Sequence, residues 1–111
     1  MGFLSKLFGK KEEDKAKKSG KVAVSKAASD NKIPPEKVGL DGQFDESGLA
    51  KRVALALDEA NISDNVGLWV AQTGSTVILK YNPDAESILS KAEQVAKGVD
   101  GADGVKTVPN S

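Results

Sequence analysis

Between Val66 and Tyr81 the chain alternates twice and turns once. Val66, Leu68 and Val70 interleave with Gly67, Trp69 and Ala71, and Val77, Leu79 and Tyr81 interleave with Ile78 and Lys80. Thr73–Gly74–Ser75 separates the two runs. Period two sends successive side chains to opposite faces of a strand, so this stretch predicts a β-hairpin with one apolar face. A lone hairpin is marginal in water, and that face must be covered.

Both flanks supply a cover. Upstream, Leu49, Val53, Ala56, Leu57 and Ala60 recur at spacings of three and four, the stripe of an amphipathic helix. Asp45 or Ser47 offers it an N-terminal cap, and Asn61 tolerates the left-handed conformation that commonly ends a helix. Downstream, Asn82–Pro83 opens a second helix with Ala85, Ile88, Leu89, Ala92, Val95 and Ala96 on one face and Gly98 as its stop. Gly104–Val105–Lys106–Thr107–Val108 then reads as a short third strand before Pro109. The expectation is an α+β domain in the order α-β-β-α-β, two helices packed on one face of a three-stranded sheet. The opposite face would carry Gly67, Trp69, Ala71, Ile78 and Lys80. Trp69 and Tyr81 are the candidate partner surface.

This domain spans residues 43–108, with 109–111 as a tail. At about 65 residues it is small enough to bury only ~60% of its unfolded surface. Residues 12–42 are rich in Lys, Ala, Ser and Gly, and Pro34–Pro35 rules out a continuous helix. Their apolar residues (Val22, Val24, Ile33, Val38, Leu40) look too sparse for a core. The segment is expected to be a flexible linker with a transient helix over Glu12–Lys18, part of a disordered N-terminal arm.

Residues 1–11 differ in kind. In a helix Phe3, Leu4, Leu7 and Phe8 share one face, flanked by Lys6, Lys10 and Lys11. Such a segment lies well in an anionic headgroup layer, where each nearby lysine adds up to ~1 kcal/mol, while Glu12, Glu13 and Asp14 subtract. A helix this short does not form alone in water, so ordering is expected on binding. Charge supports the reading. Residues 1–40 carry ten Lys against five acids and residues 41–111 six Lys or Arg against eleven acids, a basic arm on an acidic domain.

Several function classes are disfavoured. The chain has no Cys and no His, which removes disulfides, thiolate sites and the commonest acid–base group. Asp58–Glu59 and Asp84–Glu86 resemble catalytic pairs but fall on predicted solvent faces, so no enzyme is expected. The N-terminal apolar set is too short for a secretory signal, no run approaches a membrane span, and Lys6 stands where a myristoylation motif needs Ser or Thr. Nucleic acid is not an expected partner, because the lysines lack interleaved aromatics. Asp100 and Asp103, in a glycine-rich loop, are weak candidates for carbonyl-assisted potassium coordination; otherwise no metal or cofactor is expected.

The same residues resemble the BON family of bacterial envelope and stress proteins, small α-β-β-α-β modules. The likeness runs from Ser47 to Val108. It includes Leu49–Ala50–Lys51–Arg52–Val53 with Ala56–Leu57, Val66–Gly67–Leu68–Trp69–Val70, Gly74–Ser75–Thr76–Val77–Ile78–Leu79, and Ala92–Glu93–Gln94–Val95–Ala96 before the closing Gly104–Val105–Lys106–Thr107–Val108. Lys80–Tyr81 stand where the family usually has a glycine, and the loop from Val99 to Gly104 is longer than usual. The resemblance implies a non-catalytic phospholipid-binding or interaction module. A cytoplasmic, potassium-binding member also begins Met-Gly with apolar residues ahead of its BON domain and continues into a LysM domain. The combined expectation is a cytoplasmic binding module associating peripherally with anionic membrane. The alternatives are a potassium-binding stress-response module and a protein-interaction adaptor.

Overall fold

In the computed structural model, which describes residues 2–19 and 24–110, the chain runs α1 (Phe3–Phe8), α2 (Lys10–Ser19), α3 (Val24–Asn31), α4 (Gly48–Glu59), β1 (Leu68–Thr73), β2 (Thr76–Tyr81), α5 (Glu86–Lys97) and β3 (Gly104–Pro109). Short 3₁₀ turns occupy Pro35–Lys37 and Pro83–Ala85. The fold is α+β. The sheet order is β1-β2-β3. The hairpin pairs β1 and β2 antiparallel, with Leu68 opposite Tyr81 and Trp69 opposite Lys80. α5 then carries the chain back so that β3 lies parallel to β2, as a parallel neighbour requires a crossover.

α4 and α5 cover one sheet face. Leu49, Val53 and Leu57 from α4, Leu68 and Val70 from β1, Val77 and Leu79 from β2, and Ala92 and Ala96 from α5 form the core. Asn61 ends α4 in the left-handed region, φ 59°. At the other end Ser47 makes no side-chain cap; its amide donates to Asp45 Oδ1 at 2.9 Å. The Ala50 amide in the first turn donates instead to Gln72 Oε1 at 2.8 Å, and Gln72 Nε2 donates to the Glu36 carbonyl. One β1 side chain thus joins α4 to the 3₁₀ turn after Pro34.

The N-terminal arm departs from the disordered chain expected. Residues 3–8 are helical at rest, and Phe3 and Leu4 are 0% and 1% exposed within the main core. Within the stretch expected as a linker, α2 and α3 are helical, Leu40 joins the main core, and Val24, Ile33 and Val38 form a small core of their own with Ala28 against it. Val22 lies outside the described residues. The physical reason is that short helices need few apolar residues when a folded surface already receives them; too sparse for an independent core is still enough to extend one. Pro34–Pro35 divides these elements, and Val38 bridges Phe44 in antiparallel fashion. Among the described residues no helix is long and apolar enough to cross a membrane.

Candidate functional site

The seven proposed membrane-docking residues divide on folding. α1 rests on α4, and the Asp58 carboxylate receives its free first-turn amides: Phe3 N at 2.6 Å and Leu4 N at 3.1 Å. A Cβ at Gly2 would overlap that carboxylate, so a larger residue there has to displace it. Lys6 is exposed, and its Nζ donates to the carbonyls of Asp64 and Val66, at 2.8 and 3.1 Å. Leu7 and Phe8 are half-buried, while Lys10 and Lys11 are exposed. Gly9, at φ 96°, turns the chain from α1 into α2, a conformation that costs glycine little.

A charged cluster straps the end of this arm. Lys51 on α4 reaches Asp45 Oδ2 at 2.8 Å and Glu12 Oε1 at 3.2 Å, and its ammonium lies 5.9 Å from the centre of the Phe8 ring. Burial opposes charge on both partners but does not win. The Lys51 ammonium and the Ser47 amide hold the Asp45 carboxyl below its usual value, and Asp45 and Glu12 hold Lys51 above its own.

Arg52 sits behind them, 8% exposed, with three donors on three backbone carbonyls: Nε to Val38 at 2.8 Å, Nη1 to Asp100 and Nη2 to Pro35. Burial lowers its pKa, against the attraction of Asp100. Carbonyls converging this way resemble a cation cage, and here the cation is the guanidinium. In the loop expected as a weak potassium candidate the Asp100 carbonyl meets Arg52, the residues Asp100 and Asp103 are exposed, and the Asp103 amide donates to Ser75 O at 2.9 Å. Among the described residues no group of three or more acidic side chains converges as a metal site.

A cleft of 660 Å³ opens between α2, α4 and the end of α5, lined by apolar atoms of Leu4, Ala16, Val24, Leu40, Leu55 and Val99. Three of its charged residues are already engaged, Asp58 on amides, Arg52 on carbonyls and Lys17 on Glu13 at 3.8 Å.

The sheet separates the two partner-surface candidates. Tyr81 lies opposite Leu68, half-buried on the helix-covered face, whereas Trp69 lies opposite Lys80 on the open face, 39% exposed. Two working residues escaped the sequence reading. Asp58 reads as a solvent-face acid, yet it holds α1; its counterpart Asp84 receives the Gly67 amide at 3.0 Å. Arg52 did leave a signal, being three residues after Leu49 and four before Ala56, inside the apolar stripe. No family model, curated protein or solved structure matches the chain.

Proposed function

We propose that the chain is a non-enzymatic, BON-like binding module that associates peripherally with anionic phospholipid surfaces, α1 exchanging its seat on α4 for the headgroup layer. The observation carrying this reading is the composition of α1 and its flank. Phe3 and Leu4 face α4, while the half-buried Leu7 and Phe8 adjoin the exposed Lys10 and Lys11. That exposed end makes the first contact, and release of Phe3 and Leu4 completes the docking.

Magnitudes say when this happens. Covering Phe3 and Leu4 on α4 is worth about 1.5–3 kcal/mol each, and an acyl boundary returns a similar amount. The apolar term nearly cancels, so charge decides. Lys6, Lys10 and Lys11 add about 1 kcal/mol each near an anionic surface, and the acids at 12–14 oppose them. Attachment is therefore conditional, strong on densely anionic membrane and weak once salt shortens the screening length.

Co-sedimentation of the full chain with phosphatidylserine-containing vesicles and with phosphatidylcholine vesicles tests it. Binding to the anionic vesicles alone, falling with salt, is expected. The Leu7→Asp/Phe8→Asp variant loses it, and Asp58→Ala, which frees the amides of α1, strengthens it several-fold. Retention of binding by the double variant overturns the reading. A protein-interaction role is favoured by a different surface, the open sheet face.

A further inference from the structure

Away from α4 and α5, the register sets Trp69, Lys80 and Val108 side by side, with Ala71, Ile78 and Lys106 in the next row. Trp69 and Val108 are 39% and 40% exposed, and Lys80, Ala71 and Lys106 are exposed as well. None of the outward residues of the three strands is acidic, although residues 41–111 hold eleven acids against six Lys or Arg. Neither Lys80 nor Lys106 makes an ion pair or side-chain hydrogen bond with a described residue. Among the described residues, a net-acidic domain thus presents two unpaired cations amid apolar side chains on the sheet face away from α4 and α5.

We propose that this face docks an acidic amphipathic helix of a partner protein, with carboxylates on Lys80 and Lys106 and apolar side chains on Trp69, Ile78 and Val108. Lys80 decides the chemistry. It stands between Trp69 and Val108, so any partner covering both encloses its ammonium, and an enclosed charge without a counter-charge is costly. Lys106 lies diagonally from it, within roughly 7–8 Å. Acids four residues apart on a helix, about 5–6 Å apart at Cβ, reach both with flexible side chains. The dimensions agree as well. Three strands span about 10 Å, close to the width of a helix, and a helix layer is the usual cover for an exposed sheet face.

Charge argues against a second copy of the chain. A second copy placed face to face would set lysine against lysine. An anionic bilayer would also offer phosphates to the lysines, and it is therefore an outcome of the test.

Trp69 is the chain's single tryptophan, so its fluorescence reports on this face alone. A displayed library of amphipathic helices with varied charge positions is selected on the full chain and counter-selected on a Lys80→Glu/Lys106→Glu variant. A synthetic peptide of the enriched sequence is then titrated while Trp69 emission is followed. Acidic sequences should be enriched and should shift the emission saturably. The double variant should bind at least about tenfold more weakly, and a peptide with its acids changed to lysine should restore binding to it. No enrichment of acidic helices, or binding indifferent to the double variant, overturns the proposal. A Trp69 shift on phosphatidylserine vesicles that survives Leu7→Asp/Phe8→Asp but not the lysine changes assigns the face to membrane and overturns it too.

Discussion

Arg52 joins two distant stretches of backbone, Pro35 and Val38 before α4 and Asp100 after α5. Its replacement leaves three carbonyls short of a donor. Hydrogen bonds to charged groups are worth about 1.5–3 kcal/mol each, so Arg52→Met should lower the unfolding free energy in urea by at least about 2 kcal/mol. Arg52→Lys should recover little, because a single ammonium cannot present a planar fork to three acceptors. A Met variant as stable as the parent would show that the guanidinium adds nothing to stability. Asp58 is the opposite case in legibility. Next to Glu59 on a helix it reads as one more solvated acid, and nothing near it in sequence announces amides at positions 3 and 4. Arg52 was partly legible from its place in the Leu49 stripe; its three acceptors were not, because any residue supplies a carbonyl.

Among the elements, Lys51 of α4 holds both Glu12 of α2 and Asp45 of the segment before α4, and the Asp45–Lys51 pair titrates. Asp45 is held below its ordinary pKa, so its contribution is complete above the unfolded value, about 3.9, and is lost as pH falls through the folded one. Lys51 is held above its ordinary pKa, so its contribution is complete below about 10.4 and is lost as pH rises through the folded value. Urea midpoints at pH 3 and pH 6 should therefore differ more for the parent chain than for Lys51→Met. Equal differences would mean the cluster adds nothing to stability. The elements of the hairpin and of α4 were readable because each repeats its period over several turns or alternations, although β1 starts at Leu68 rather than Val66. α3 was not, because its sequence VSKAASDN offers little beyond Val24 and Ala28 four residues apart.

For the whole molecule, the arm is part of the fold. A chain beginning at Gln43 lacks Phe3, Leu4, Val38 and Leu40, all buried here, and burial of such residues is worth about 1.5–3 kcal/mol each. A remaining domain of about 65 residues has little reserve. The truncated chain should melt well below the full one, by more than about 10 °C, since 1 kcal/mol moves the midpoint of so small a domain by about 4–8 °C. An unchanged midpoint would show the arm to be energetically separate. For that reason point changes on α1 separate docking from folding better than truncation does. Local periods were enough to give the hairpin, the two helices covering it and the apolar stripe of residues 3–8, and composition gave the opposed charges of the two halves. Which surfaces meet was settled only by the folded chain. Local periodicity states that a face is apolar without naming the surface that covers it. The seating of α1 on α4, the carbonyls around Arg52 and the separation of Trp69 from Tyr81 are all relations between residues far apart in the chain, which come together only when the whole fold does.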